Sequence, residues 1–352
     1  MNLEERKKFL DTLYSLKGDS NKIDEEASLL NSTISYPGSI ARFRKFTKMN
    51  LGALSKNRLF FSTSDYYNDP LDSNVGVSVD KIKDKLKDTL FNESVNNSLV
   101  DKYKPFMSDD FAKLVLSMPN ASNRNILNSS IDKALLFVKE LIRRQTYSIC
   151  FTEDVYNLSS WIYYGDENKG FELIYGVKDG ALSGLSCSKF EKCLKCPMTN
   201  QEKYLYPVGY ADKPYESTTY ATAYFCFLVC SILSPNELND IKKRLPSGIW
   251  EREKIILTKG KKLYADLEWR LILPSYTFAP YHFDNKNNEF VFDKIKEQPF
   301  IECAPDAIVI GSKMSSHNVS RLIDVAKKAG IKKIMKAKYT LDNKLKYLDV
   351  IE

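Results

Sequence analysis

One short stretch of this chain alternates between polar and apolar residues as a half-buried β-strand does: Tyr264-Ala265-Asp266-Leu267-Glu268-Trp269-Arg270-Leu271. Successive side chains of a strand point to opposite faces of its sheet. The pattern therefore predicts an apolar face and a second face that carries Asp266, Glu268 and Arg270 side by side. Charged groups packed this closely are costly unless solvent, partners or a ligand satisfies them. This strand is the first candidate for a functional site.

The segments on either side of this strand predict an α+β fold, with a mixed or antiparallel sheet as its core and helices inserted between the strands. Further strands are expected at 39–46, 58–62, 146–151, 170–177, 307–311 and 332–337. Apolar residues that recur every three or four positions predict helices at 132–144, 218–233, 235–244 and 316–329.

The same pattern divides the chain into three parts. Residues 1–36 form an N-terminal helical lead-in, residues 37–78 and 146–352 form the α+β core, and residues 79–145 form a helical insertion. A chain of 352 residues with 43% hydrophobic residues is long enough to bury a sizeable core.

Composition restricts the location and the partners of the protein. The N-terminus lacks the apolar core of a signal peptide, and no apolar run is long enough to span a bilayer. Seven cysteines, an odd number, indicate reduced thiols and a cytoplasmic protein with no membrane partner. The net charge of +7 is compatible with an anionic ligand such as a dinucleotide, but it is weak support for nucleic-acid binding.

Five separated pieces of the sequence resemble one family. They are Ala41-Arg42-Phe43-Arg44; Leu59-Phe60-Phe61-Ser62 leading into Asn68-Asp69-Pro70; Cys150-Phe151-Thr152 leading into Trp161-Ile162-Tyr163-Tyr164 and Lys169-Gly170-Phe171; Glu268-Trp269-Arg270; and Ile308-Val309-Ile310-Gly311-Ser312. Together they resemble a bacterial family catalogued as domain of unknown function 2971, over roughly residues 39–350. The family name implies no activity.

A looser resemblance implies a chemistry. A basic first strand, a Ser-Thr-Ser segment and a later acidic strand follow one another as in the ADP-ribosyltransferase fold. The resemblance implies that NAD is the substrate, that Arg42 or Arg44 holds its phosphates, and that Ser62 and Ser64 brace the nicotinamide ribose. Glu268 would stabilise the oxocarbenium-like transition state, and Asp266 would orient it or the acceptor. Asp266 departs from the family pattern, which has glutamate there, and the Ser62 segment precedes the helical insertion.

Each of these residues also has a plainer interpretation. Trp161 or Tyr164 could stack on a nicotinamide or adenine ring, but aromatic residues at helical spacing more often belong to the core. Gly170 would let the backbone approach a ligand closely, or it simply forms a tight turn. The two arginines fit a solvated strand edge at least as well as a phosphate clamp. The acidic strand fits a structural ion-pair network about equally well.

The sequence contains fewer of the residues that other kinds of site require. Cys187, Cys193 and Cys196 supply three thiols where structural zinc usually takes about four ligands, so no metal site is expected. The chain contains only two histidines, which leaves little for a hydrolase triad. The segment that begins at Asn68 could bind a metal or a ribose, but a plain turn is the simpler interpretation.

The favoured hypothesis is an ADP-ribosyltransferase-like enzyme that cleaves NAD at the nicotinamide ribose, as a toxin or an antiphage effector would. Its macromolecular acceptor is not identified by the sequence. The alternative is a non-catalytic sensor module that binds a nucleotide or a partner in the same cleft. The enzyme hypothesis requires an arginine, Ser62 and Glu268 to converge on one cavity.

Overall fold

A computed structural model describes most of the chain. The described residues are 1–19, 21–67, 72–90, 97, 101, 113, 116, 121–144, 146–185, 205–233, 249–274, 281–284, 289–293, 298–342 and 344–350. The predicted helix at 235–244 lies outside them. None of the helices in the described part of the chain is long and apolar enough to cross a bilayer.

The described part of the chain contains both helices and strands. The helices are α1 (Leu3–Ser15), α2 (Ile23–Asn31), α3 (Lys48–Leu54), α4 (Val79–Leu90), α5 (Ala121–Arg143), α6 (Leu158–Tyr163), α7 (Thr218–Leu233), α8 (Ile249–Ile256) and α9 (Ser316–Lys328). The strands are β1 (Ser39–Arg44), β2 (Arg58–Phe60), β3 (Thr146–Thr152), β4 (Phe171–Lys178), β5 (Ala181–Leu182), β6 (Leu205–Pro207), β7 (Gly209–Ala211), β8 (Thr258–Gly260), β9 (Glu268–Pro274), β10 (Tyr281–Asp284), β11 (Glu289–Phe292), β12 (Phe300–Glu302), β13 (Ala307–Ile310), β14 (Lys333–Tyr339) and β15 (Leu345–Asp349). The described part also contains two 3₁₀ helices, Ser64–Tyr66 and Lys261–Asp266.

The core is a nine-stranded mixed sheet, which confirms the predicted α+β class. Its strands lie in the order β15-β14-β13-β4-β1-β3-β9-β6, and β5 adds to β4. β13 and β14 are parallel, and the other neighbours in this order are antiparallel. All four residues of β13, Ala307–Ile310, are buried, as expected of a strand that is covered on both faces.

The described helices pack in three groups. On one face, apolar residues of α3 and α9 pack with Ile40, Phe171 and Ile308 of the sheet. Helices α4, α5 and α7 share a separate hydrophobic cluster. The helices of the predicted 79–145 insertion therefore pack with α7, a helix of the predicted core. The N-terminal helices α1 and α2 pack against β7, α8 and the end of β9.

The sheet opens between β1 and β3. β1 forms six residue pairs with β4, but a single pair, Ala41 with Thr152, with β3. Beyond that pair the two strands diverge. The chain after β2 rejoins β3 further along, where Ser62 bridges to Ser148. The fold thus leaves a gap in its sheet, framed by the ends of β1 and β3.

The prediction of one continuous strand over 264–271 is wrong in its first half. Residues 261–266 form a 3₁₀ helix, and Leu267 then adopts a left-handed conformation with φ of 44°. The strand begins only at Glu268. Left-handed backbone interrupts the alternation of faces, so Asp266 does not share a strand face with Glu268. Glu268 and Arg270 do share one, because both lie within β9.

Candidate functional site

A cavity of about 260 Å³ occupies the gap between β1 and β3. Among the residues selected from the sequence, it brings together Arg42, Arg44, Ser62, Tyr164, Asp266 and Glu268. Because the strands diverge here, side chains from both faces of the sheet reach the same space. One wall is cationic and the opposite wall carries carboxylates.

The acidic wall begins with Glu268 at the start of β9. Its Oε1 accepts a hydrogen bond from Arg270 Nε at 2.6 Å, and its Oε2 accepts one from Lys259 Nζ at 2.7 Å. Burial alone would raise the pKa of this carboxyl, but Arg270 and Lys259 outweigh that effect and hold the pKa at about 2. Glu268 is therefore a carboxylate at neutral pH.

Arg270 is the centre of a buried charge network. Its side chain has no exposed surface, and Nη2 donates to Asp72 Oδ2 at 2.6 Å. Nη1 donates to the Ile256 carbonyl at 2.5 Å. Lys259 Nζ approaches the same Asp72 oxygen at 3.5 Å. Two cations thus bind Asp72 and Glu268 together, and each charge is compensated by its neighbours.

Asp266 has a different electrostatic environment. It remains 27% exposed, and its only ion pair among the described residues is with Lys259 Nζ, at 3.2 Å. Burial and the nearby Glu268 raise the pKa of Asp266, although Lys259 opposes them. The pKa values of Asp266 and Glu268 are thus shifted in opposite directions, as in known acid–base pairs.

Two residues fix the backbone of Glu268. The Arg6 guanidinium in α1 donates to the Glu268 carbonyl at 2.8 Å, and the Glu268 N–H donates to Tyr210 Oη at 3.0 Å. Arg6 is itself fully buried and forms an ion pair with Glu153 at 3.0 Å. Glu153 also accepts from Trp269 Nε1 at 2.6 Å. The first helix therefore supports the strand that carries the carboxylate.

The cationic wall consists of Arg42 and Arg44, two residues apart on β1. Burial lowers the pKa of both guanidinium groups, and Arg42 lowers that of Arg44 further. Arg42 Nη1 is buried without a hydrogen-bond partner. Within the described part of the chain, no carboxylate forms an ion pair with either arginine. A buried guanidinium without an anion is costly, so this wall is suited to an anionic ligand.

Three residues selected from the sequence do not line the cavity. The Ser64 hydroxyl donates to the Arg143 carbonyl at 3.2 Å, which directs it away from the gap. Trp161 is fully buried, packs edge-on against Phe43 and donates to Tyr347 Oη. It is a core residue and not a stacking platform.

Gly170 is needed for chain packing. A Cβ at Gly170 would lie 2.1 Å from the Arg44 carbonyl oxygen, so the close approach there is to β1 and not to a ligand.

The cavity thiol of Cys150 faces the carboxylates. Burial raises the pKa of Cys150 to about 11, so the thiol stays protonated and is a poor nucleophile. Burial likewise raises the pKa of Tyr164 to about 12, which leaves a neutral hydroxyl at the mouth of the cavity. The ionised groups of the cavity are therefore the two arginines, Lys259 and the carboxylates.

Metal-ligating side chains do not cluster in the described part of the chain. Among the described residues, no group of three or more His, Cys, Asp or Glu side chains could hold a metal ion. Cys187, Cys193 and Cys196 lie outside the described residues, as do Asn68, Asp69 and Pro70.

The loop that carries Tyr164 contains three consecutive left-handed residues. Asp166, Glu167 and Asn168 have φ of 53°, 52° and 69°. Non-glycine residues pay about 1–2 kcal/mol for this conformation. Among the described residues, the Glu167 side chain contacts only Lys169, in an exposed ion pair at 3.3 Å, and such pairs add little stability.

We therefore expect Glu167→Gly to raise the free energy of unfolding by about 0.5 kcal/mol, since relief of strain exceeds the entropy cost of glycine. Urea denaturation measures the change. Lys169→Gly, at a neighbouring position without positive φ, serves as the control and should lower stability. A loss of stability in Glu167→Gly would show that its side chain does more than the contacts indicate.

Comparison with protein-family models, with characterised proteins and with solved structures finds no match to this chain.

Proposed function

We propose that this protein is an ADP-ribosyltransferase-like enzyme that binds NAD in the cavity between β1 and β3 and cleaves it at the nicotinamide ribose. One observation carries the proposal: Arg42 and Arg44, which pair with no carboxylate in the described part of the chain, line a single cavity of about 260 Å³ together with Asp266 and Glu268. The resemblance of the sequence to the bacterial family of unknown function and to the ADP-ribosyltransferase fold also supports this proposal.

Each wall suits one part of NAD. Arginine forks bind phosphate oxygens in pairs, so Arg42 or Arg44 would hold the pyrophosphate. Loss of nicotinamide leaves a cationic ribose carbon, and the fixed charge of Glu268 would stabilise it. Sites that enclose a whole small-molecule ligand usually have volumes of about 300–1,000 Å³. The cavity is smaller, so it would enclose only the reacting half of the dinucleotide.

The bond changes follow from these positions. The bond between the ribose C1′ and the nicotinamide nitrogen breaks, and its electron pair leaves with neutral nicotinamide. Water or an acceptor nucleophile then bonds to C1′ and gives up a proton. Asp266, with its raised pKa, would take that proton. We place this activity in the cytoplasm, in keeping with the thiol of Cys150, which forms no disulfide with any described residue.

A second candidate is a non-catalytic sensor that binds a nucleotide. It is favoured by the fact that both oxygens of Glu268 already accept hydrogen bonds from Arg270 and Lys259. Such a carboxylate could serve only to hold the network together. Nucleotide binding without turnover would then be the whole function.

Incubation of the purified protein with NAD tests the two candidates, with released nicotinamide as the readout. We expect release by the wild type and a loss on the order of a hundredfold in Glu268→Gln, which keeps the shape but removes the charge. Asp266→Asn, at a partly exposed position, should lose about a hundredfold as well without loss of the fold. Glu4→Gln, on the exposed side of α1, is the control and should retain full activity.

Binding measurements separate the remaining outcomes. Arg44→Lys and Arg42→Lys each keep the charge but lose the paired fork, so at least one should bind NAD more weakly. NAD binding without nicotinamide release would support the sensor. Absence of both binding and release would refute both candidates.

A further inference from the structure

The positive charge of this protein is concentrated near its C-terminal end. Residues 311–350 contain ten Lys and Arg residues against three Asp, a difference of +7 that equals the net charge of the whole chain. All ten side chains are exposed. Within the described part of the chain, Lys344 alone among them forms an ion pair, with Asp342 at 3.1 Å. The net charge therefore belongs to one region of the surface.

The strand registers place part of this charge in line with the cavity. Arg44 lies opposite Phe171, and Phe171 lies opposite Ile310 on the next strand. Ile310 in turn lies beside Lys336. Residues that pair across neighbouring strands share one face of the sheet. Lys336 therefore lies on the same face and at the same edge as Arg44, three strand spacings or about 14 Å away.

The row continues beyond Lys336. Lys338 lies two residues further on the same face, directly opposite Lys346 on the edge strand β15. Like charges directly opposite each other destabilise a sheet unless an anion lies between them. Asp349 pairs with Met335 and thus belongs to the other face. On the face that carries Lys338 and Lys346, neither β14 nor β15 has a carboxylate that would offset the repulsion between the two lysines.

Three further cations connect the row with the end of β1. Arg321 in α9 lies over the Phe46 ring, with 5.8 Å between Cζ and the ring centroid. Lys313 follows β13 at the same edge, and Lys45 follows Arg44. We call the exposed side chains of Lys45, Lys313, Arg321, Lys336, Lys338 and Lys346 the basic band.

We infer that single-stranded nucleic acid binds along the basic band and reaches the mouth of the cavity. Its phosphates would lie on the lysines, because a line of cations that tracks a backbone is how such strands are held. The line continues into a gap at Arg44 and Arg42. A flexible strand can enter that gap, whereas the flat surface of a bilayer cannot.

The mouth of the cavity also offers aromatic surfaces. Tyr66 and Tyr164 line it and are 61% and 41% exposed. Bases stack on such side chains regardless of sequence. Binding at the band does not depend on NAD cleavage. If the proposed function holds, the bound strand lies beside the reacting ribose and is the acceptor that the sequence left unidentified.

Fluorescence anisotropy with a labelled oligouridylate tests the inference on the full-length protein. The triple variant Lys336→Gln/Lys338→Gln/Lys346→Gln removes three phosphate contacts. At about 0.1 M salt its affinity should fall on the order of a hundredfold, and its dependence on salt should become shallower. The control Lys7→Gln/Lys8→Gln/Lys17→Gln changes the net charge equally on the N-terminal segment and should bind like the wild type. Neither variant touches the cavity, so NAD hydrolysis without acceptor should be unchanged in both.

Three results would overturn the inference. The first is a wild type that does not bind the oligonucleotide, and the second is a control that loses as much affinity as the band variant. The third is binding to phosphatidylserine vesicles in place of the oligonucleotide, since Leu341 and Leu348 are exposed beside the band. The band variant should also be at least as stable as the wild type, because it removes the repulsion between Lys338 and Lys346. Nicotinamide release is measured separately, so failure of either proposal leaves the other standing.

Discussion

Arg270→Met is expected to lower the free energy of unfolding by about 3–5 kcal/mol. The guanidinium is fully buried and binds Glu268 at 2.6 Å and Asp72 at 2.6 Å. Methionine has a similar length but no charge, so two buried carboxylates would be left with Lys259 as their shared cation. The loss reflects these uncompensated charges and not the strength of a single ion pair.

Urea denaturation of the variant checks this result. Arg270→Lys should fall between the wild type and Arg270→Met, because lysine keeps the charge but cannot bind both carboxylates and the Ile256 carbonyl at once. Arg321→Met, on an exposed helix face, should change stability by less than about 0.5 kcal/mol. If Arg270→Met were as mild as Arg321→Met, the network would not be a determinant of stability.

The elements with a clear local pattern could be predicted from the sequence. Helix α7 has the predicted bounds, Thr218–Leu233, and β13 and α9 differ from their predictions by one residue each. In α9 the apolar residues recur at helical spacing and specify which face is buried. β13 is a continuous apolar run, which is typical of a strand that is covered on both faces.

The turn at Leu267 could not be predicted in this way. Its side chain continues the apolar alternation, yet its backbone is left-handed. The Leu267 N–H donates to Tyr264, and its carbonyl accepts from Glu153, more than a hundred residues away in sequence. Tertiary contacts of this kind leave no local signal. The alternating pattern therefore began the predicted strand at Tyr264, four residues before the observed start at Glu268.

The sequence identified some residues of the cavity and not others, because only some of them lie in a distinctive local pattern. Arg42, Arg44 and Glu268 lie in distinctive strand patterns, and the structure brings them to one cavity. Lys259 and Arg6 were missed, because each is a single charged residue in an unremarkable segment. Asp72 was considered only as part of the segment that begins at Asn68, and not as a partner of Arg270. The alternation did identify Arg270 beside Glu268. It could not show that Arg270 is buried, and burial makes it the centre of the network.

Acid is expected to remove the stability that Glu268 contributes. The folded-state pKa of Glu268 is about 2, below its usual value of 4.5, because Arg270 and Lys259 outweigh the effect of burial. A carboxyl whose pKa is lowered on folding stabilises the protein above its unfolded-state pKa. That contribution declines as the pH falls from 4.5 towards 2. The shift corresponds to about 3 kcal/mol at neutral pH.

A comparison of the wild type with Glu268→Gln isolates this contribution from the other carboxyls. Burial raises the pKa of Glu253 to about 7 and that of Glu172 above its usual range, so both give the opposite dependence on pH, but both are present in the two proteins. The difference in unfolding free energy should be about 3 kcal/mol at about pH 7 and should shrink by more than half at about pH 3. Glu4→Gln should show no such trend. A difference that stayed constant over this range would mean that Glu268 is not ionised by its neighbours, and it would remove the electrostatic basis for its role at the ribose.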